Sequence, residues 1–326
     1  MTRLLGRLFG GDAGKGQALL RAYGKLPLYA EYRRLELSPG APIAFSQWLD
    51  AGRLAWVRSP TKSAAASTRP SRLLIQLPDT KEAVVASVWD SRDSLGRVFP
   101  FAFFVTCPLS ALGDSAVERW VAATEIHHRF DAFHTQLHSL GSGGDFYRLY
   151  GKHMIRLRSD DSAERSATLR AKAADIAADP WFKALPFDDE LASAAWFSGL
   201  HHRAEHWRAQ PDALGELALS CPLARGYSHD VQAVLWLEWL DGLLEKARRT
   251  PALVVPIEGA ASAPLLHVVV RDLLADDYQL LTTDDGRYDF SEKLSLLPAT
   301  GSDGAALPVD EPPSGSLLAW LREHAA

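Results

Sequence analysis

A five-residue segment in the second half of the chain has the residue types and spacing of a metal site. Its functional side chains are His202, Glu205 and His206. In this H-x-x-E-H order, two histidines one helical turn apart can bind zinc, and the glutamate can serve as the base of a metal-dependent hydrolase. The pattern leaves two positions open, the chain contains 11 histidines, and the sequence assigns no third ligand. We therefore favour a helix surface here and keep hydrolysis as the alternative.

A second group of polar residues is spaced by four, three and four positions along a predicted helix: His127, Asp131, His134 and His138. These residues share one helix face and could ligate a transition metal, although we favour histidines packed beside an apolar stripe. Neither a G-x-S-x-G nucleophile motif nor a G-x-G-x-x-G loop occurs in the sequence. We predict no catalytic residue, no metal and no cofactor.

A polar turn holds a third group, in which two arginines and an aspartate precede the most apolar segment of the chain. Asp93 and Arg97 are close enough to clamp this turn with a charge-assisted hydrogen bond, and Gly96 gives the backbone freedom there. A structural ion pair is the role that we favour. The alternative is a recognition surface, in which Arg92 and Arg97 meet carboxylates or phosphates of a partner.

The elements around this turn predict a mixed fold. Three runs rich in β-branched and aromatic residues, over 73–77, 84–88 and 101–106, are separated by connections too short for helical crossovers, so they pair antiparallel. Pro100 cannot donate a ladder hydrogen bond, so the third strand begins near Phe101 or lies at an edge. Apolar periodicity predicts helices over 42–56 and 112–140. We expect an α/β fold of the α+β type, with a central, mostly antiparallel sheet flanked by helices on both faces.

The rest of the chain predicts further helices and strands. Helices are predicted over 163–178, 191–209, 231–248 and 316–324, and strands over 253–257, 265–270 and 278–281. The expected organisation is a flexible leader (1–19), an α/β domain (20–150), a helical and β-strand half (151–300), and a polar tail with a terminal helix (301–326).

Composition limits the class of function. With 326 residues and 47% hydrophobic residues, the chain is long enough for one large or two ordinary domains. A formal net charge of -5 argues against nucleic-acid binding. Its two cysteines lie far apart, as expected in a reducing compartment. The short apolar run at the N-terminus is interrupted by Arg7, so we expect a cytoplasmic protein without stable membrane insertion.

Two motifs resemble a known family. The turn follows the pattern S-x-D-x-x-G-R-x-F-P with Ser91, Asp93, Gly96, Arg97, Phe99 and Pro100. A second element, near the N-terminus, reads G-K-L-P and comprises Gly24, Lys25, Leu26 and Pro27. In these motifs, in this order, the chain resembles the TagF (ImpM) family of type VI secretion-associated proteins over roughly residues 20–150. It departs from the family pattern over residues 28–32.

The resemblance implies a function by protein contact. Its members are accessory regulators, so it implies a non-enzymatic, post-translational repressor of bacterial type VI secretion that binds a forkhead-associated scaffold protein. A positive assembly adaptor of the same apparatus is the alternative. The candidate binding residues are Lys25, Arg92, Asp93 and Arg97, with Lys25 expected to be the free polar handle of its motif. The candidate structural residues are Gly24, Pro27, Ser91, Gly96, Phe99 and Pro100.

Overall fold

The computed structural model of the chain divides into two compact units. Structure is described for residues 16–58, 70–78, 80–151, 153–185, 209, 218–247, 250–255, 265–281 and 315–323. The first unit contains the described residues of Met1–Ser162 and Leu273–Thr282, and the second contains those of Ala163–Asp272 and Thr283–Ala326. None of the helices within these ranges has the length and apolar character needed to cross a membrane.

The first unit is organised around an antiparallel sheet. Its strands are β2 (Arg21–Gly24), β3 (Arg33–Leu35), β4 (Ser71–Gln76), β5 (Glu82–Arg92) and β6 (Val98–Pro108). They are ordered β3-β2-β6-β5-β4, and every neighbouring pair is antiparallel. The long strands β5 and β6 are buried along most of their length, which explains their nearly continuous apolar sequence. A separate pair joins β1 (Gln17–Leu19) to β7 (Met154–Arg156).

Helices cover both faces of this sheet. The helices of the first unit are α1 (Ala41–Arg58), α2 (Ala116–Leu137) and α3 (Gly143–Tyr150). Phe45 of α1 packs on Phe104 with ring centroids 4.8 Å apart, and Phe133 of α2 packs on Phe103 at 5.7 Å. Consecutive residues of a strand point to opposite faces, so α1 and α2 lie on opposite sides. The predicted fold class is confirmed.

The segment after residue 272 packs against α1 and forms a 3₁₀ helix instead of the predicted strand. A strand was predicted over 278–281, but Ala275–Leu281 forms a 3₁₀ helix. Tyr278 and Leu281 are both buried, and a separation of three residues places them on one side of a 3₁₀ helix. A short apolar run alone does not distinguish that arrangement from a strand. The indole Nε1 of Trp48 on α1 donates to the carbonyl oxygen of Leu274 at 2.9 Å.

The second unit contains three strands and a core of its own. Its strands are β8 (Ala218–Pro222), β9 (Ala252–Val255) and β10 (Leu265–Val269), in the antiparallel order β9-β10-β8. Its helices are α4 (Ser162–Ala174), α5 (Ala178–Lys183), α6 (His229–Ala247) and α7 (Leu317–Glu323). In the core, the Trp181 indole donates to the side-chain oxygen of Gln232 at 2.7 Å. The predicted helix over 191–209 lies outside the described residues, except for residue 209, which is helical.

Two further expectations require correction. Residues 17–19, predicted as part of a flexible leader, form a strand, because Gln17–Leu19 pairs with Met154–Arg156 far away in sequence. The third strand begins at Val98 and not near Phe101, and Pro100 lies within it, paired with Asp90 of β5 and just beyond the last pair with β2. The Pro100 carbonyl oxygen accepts from the Lys25 amide at 3.4 Å. The N–H and C=O of one strand residue point to the same side, so the missing donor faces the place where pairing with β2 ends.

Substitution of Gly52 tests the contact between α1 and the returning segment. A Cβ atom added at Gly52 would lie 2.3 Å from the Cβ of buried Tyr278. We expect Gly52→Ala to lower the free energy of unfolding by about 1–3 kcal/mol through overpacking, although alanine is the better helix former by about 1 kcal/mol. Urea unfolding measures this change. The matched control is Gly141→Ala, where the added atom meets nothing within 4 Å; equal stabilities of the two variants would contradict the prediction.

Candidate functional site

The two motifs lie together at one end of the first sheet. In antiparallel neighbours, the end of β2 and the start of β6 meet, and Gly24 is paired with Phe101. Gly24 has a φ of 125°, and a Cβ atom there would lie 2.0 Å from the Pro100 carbonyl oxygen. A glycine is required on both grounds, because side chains rarely adopt this φ and the space is already filled. The G-K-L-P motif, which contains Gly24, therefore depends for its position on the motif that contains Pro100.

The carboxylate of Asp93 joins the motifs. Its Oδ2 accepts from Lys25 Nζ at 2.8 Å and from Arg97 Nε at 2.6 Å. Its Oδ1 accepts from the amides of Leu95 at 3.0 Å and Arg97 at 2.8 Å. The Asp93 side chain has 0% exposure, and that of Lys25 has 7%. The predicted Asp93–Arg97 bond is confirmed, and the sequence did not indicate the bond to Lys25.

The charge of Asp93 is stabilised by these donors. Burial by itself raises the pKa of its carboxyl, but the hydrogen bonds from Lys25, from the Arg97 amide and guanidinium and from the Leu95 amide lower that pKa well below its ordinary value. The carboxylate is therefore ionised at neutral pH. It is a fixed anion that holds both motifs, and its oxygens are occupied by groups of the protein itself.

Lys25 is not the free polar handle that the sequence suggested. Its side chain is buried, and its Nζ lies 5.0 Å from the ring centroid of Tyr32 as well as on Asp93. The Tyr32 ring in turn packs on Phe99, with centroids 4.8 Å apart. The partner of Lys25 is 68 residues away, so local sequence cannot reveal it. Lys25 is an internal component of the cluster.

The remaining motif residues shape the backbone. The amide of Tyr29 donates to the Leu26 carbonyl at 3.1 Å, which places Pro27 at the second position of a turn, where its fixed φ is favourable. Gly96 has a φ of 80° in the β5–β6 turn. Ser91 lies opposite Phe99 in the ladder between β5 and β6.

The tip of the turn faces solvent. Leu95 is 67% exposed, the Arg97 side chain is 53% exposed, and Arg92 is exposed as well. The turn also contacts the loop after the first motif, because the Ser94 amide donates to the Tyr29 carbonyl at 3.0 Å and Arg97 donates to the Ala30 carbonyl. The Arg92 side chain makes no hydrogen bond or ion pair within the part of the chain that the structure describes. One motif thus has a buried anion and an exposed basic tip.

The polar residues of α2 do not converge on a metal site. His127 Nε2 lies 3.1 Å from the carbonyl oxygens of Leu73 and Ala86, on the sheet side of the helix. Asp131 pairs with Arg72 at 2.8 Å. His134 and His138 approach each other near the surface, with their Nε2 atoms 3.1 Å apart. Across the described ranges, no group of three or more histidine, cysteine, aspartate or glutamate side chains could hold a metal ion. His202, Glu205 and His206 lie outside those ranges.

His127 is a neutral, buried contact between α2 and the sheet. Carbonyl oxygens can only accept, so Nε2 carries the proton, and Nδ1 is buried without a partner. Burial, together with the charge of Arg72, lowers the pKa of His127 to about 3. Sequence reasoning placed this histidine beside an apolar stripe but gave no indication of its two backbone partners.

Comparison with known proteins gives little independent information. Neither a family model nor a curated protein sequence matches the chain. Among solved structures, the chain is similar to the protein PA0076 from Pseudomonas aeruginosa PAO1, with a TM-score of 0.37 and 17% sequence identity over 82% of this chain and 96% of that chain. Neither value is high enough to assign a family or a function. The resemblance to the TagF family therefore rests on the two motifs.

Substitution of Lys25 tests the buried bond. In Lys25→Met the stem remains, but the Asp93 carboxylate loses a donor where water cannot replace it, so we expect the Tm to fall by about 5–10 °C. A matched control is Lys183→Met, because Lys183 pairs with Asp179 at the same 2.8 Å but with both side chains more than half exposed. Its Tm is expected to change by about 2 °C or less. Thermal unfolding followed by circular dichroism makes the comparison, and equal shifts would refute a special role for the buried pair.

The pH dependence of stability tests the state of His127. Its pKa is lowered from 6.5 in the unfolded chain to about 3 in the folded one, so below pH 6.5 the unfolded state takes up a proton that the folded state does not. This contribution to stability is complete above pH 6.5 and falls as the pH drops towards 3. In urea unfolding, we expect the free energy of unfolding of His127→Gln to change less between pH 6.5 and 4 than that of the unmodified chain. The control is exposed His128→Gln, which should keep the slope of the unmodified chain.

Proposed function

We propose that this chain is a non-enzymatic accessory regulator of bacterial type VI secretion, and that it represses the apparatus post-translationally by binding a forkhead-associated scaffold protein. One observation carries the proposal. The two motifs on which the TagF resemblance depends are joined by the bond between Lys25 and Asp93 across 68 residues of sequence. They behave as one structural feature, and independent short matches have no reason to be joined in this way.

The form of this feature supports binding over catalysis. If this feature were an active site, the Asp93 carboxylate would have to act as an acid or a base. It already accepts four hydrogen bonds from within the chain. The groups left at the surface are a leucine and two arginines. Such groups contact other macromolecules without needing a substrate pocket.

The test is the release of the type VI tube protein into the culture medium. The gene for this chain is deleted and, separately, overexpressed in a strain with an active apparatus. More release on deletion and less on overexpression is the expected result. A parallel strain that lacks the sheath of the apparatus controls for release by lysis. Less release on deletion would favour the positive adaptor, and unchanged release in both strains would refute a regulatory role.

A second measurement asks how repression occurs. The purified chain is expected to bind the purified forkhead-associated scaffold protein directly in a pull-down. His202→Ala is the control, since loss of a metal from this variant together with loss of repression would revive the hydrolase alternative. A repressor that acts by occupying its partner retains both binding and repression when His202 is replaced.

A further inference from the structure

An exposed basic surface surrounds the buried cluster. We call it the turn surface and define it by Tyr32, Arg34, Arg92, Leu95 and Arg97. All five residues are exposed, and Leu95 has the largest exposed fraction among the large hydrophobic side chains of the described chain, at 67%. The same loop holds one exposed carboxylate, that of Glu31. A second exposed carboxylate, that of Asp50, accepts from the Tyr23 hydroxyl at 2.6 Å. Three arginines outnumber these two carboxylates, so the region is basic on a chain whose formal net charge is -5.

The members of this surface lie close together. The Tyr32 ring lies 6.0 Å from the Tyr23 ring, and Arg97 donates to the carbonyl oxygen of Ala30, two residues before Tyr32. The Arg34 guanidinium also lies 5.9 Å from the ring centroid of Tyr23. Arg92 and Leu95 belong to the same turn as Arg97. Three cations, an aromatic ring and an apolar side chain thus face solvent at one end of the sheet.

The surface is fixed before any partner binds. Asp93 holds the amides of Leu95 and Arg97, and the Asp93 and Arg97 backbones are bonded by an N–H to O=C contact of 3.1 Å. The Ser94 amide is bonded to the neighbouring loop. A rigid turn loses little conformational entropy on binding, which favours recognition of an extended, flexible segment.

We propose that the turn surface binds an acidic segment of the partner protein, whose carboxylates pair with Arg92 and Arg97 and whose apolar side chain covers Leu95. This inference rests on the proposed function and names the contact through which the partner is held. A protein segment fits better than a membrane or a nucleic acid. Those polyanions extend beyond the turn surface and meet the negative charge of the rest of the chain, whereas a short segment meets only the basic patch.

The test replaces only exposed side chains of this surface that support no buried contact. The surface variant combines Arg92→Glu and Leu95→Asp. The matched control combines Arg58→Glu and Leu54→Asp, which are exposed positions on α1, with Leu54 at 51%. Affinity for the purified scaffold protein is measured by biolayer interferometry on the full chain, and thermal unfolding confirms that both variants are folded.

The expected result is a loss of about tenfold or more in affinity for the surface variant, a smaller loss of affinity at higher salt, and no change for the control. If the unmodified chain binds the scaffold and the surface variant binds it equally well, the inference is overturned and the proposed function stands. If co-sedimentation with phosphatidylserine vesicles is reduced in the surface variant while scaffold binding is unchanged, the surface is a membrane contact, and the inference is again overturned.

An independent probe separates failure of the inference from failure of the proposed function. If the unmodified chain does not bind the scaffold, the proposed function fails, and the surface is then judged with a fluorescein-labelled Glu-Glu-Leu-Glu-Glu peptide. Binding of this peptide that is lost in the surface variant, and absent for Lys-Lys-Leu-Lys-Lys, supports recognition of acidic segments. No binding, or equal binding by the surface variant, overturns it.

Discussion

The buried charge of Asp93 is the constraint on which this end of the first unit depends. An ionised carboxylate removed from water is costly unless charged and hydrogen-bonding partners replace the solvent. Lys25 and Arg97 supply the positive charge, and two backbone amides supply the remaining donors. Meeting this requirement fixes the turn between β5 and β6, and it also ties that turn to the end of β2.

Close packing strengthens the same connection. The backbone at Gly24 approaches Pro100 so closely that any side chain would collide with its carbonyl oxygen. Pro100 is paired with β5 and lies just beyond the last pair with β2, so its missing donor falls where that pairing ends. Glycine and proline thus act together, because one permits the approach and the other terminates the ladder. The result is a rigid turn in which the Asp93 carboxylate is buried and the arginine side chains at the tip are exposed.

The histidines illustrate how residue type alone leaves chemistry undecided. His127 has the spacing of a possible metal ligand relative to its neighbours, yet its ring is inserted towards the sheet and donates to two carbonyl oxygens. Asp131 of the same face is neutralised by an arginine of β4. Helical spacing establishes only which side chains share a face. The surroundings of that face determine whether a polar side chain is a ligand, a structural donor or part of a surface ion pair.

The sequence by itself determined the local features of this protein. Runs rich in β-branched and aromatic residues indicated the antiparallel strands β4 to β6, and apolar residues at helical spacing indicated the helices α1 and α2. The closeness of Asp93 and Arg97 in sequence indicated their bond, because all of these features depend on neighbours along the chain. Tertiary structure alone decided the role of Lys25, the placement of Gln17–Leu19 beside β7, and the 3₁₀ helix at Ala275–Leu281. Each depends on a partner distant in sequence, and one sequence gives no measure of which distant segments meet. The division of the turn into a buried carboxylate and an exposed basic tip has the same origin, since burial belongs to the folded chain as a whole.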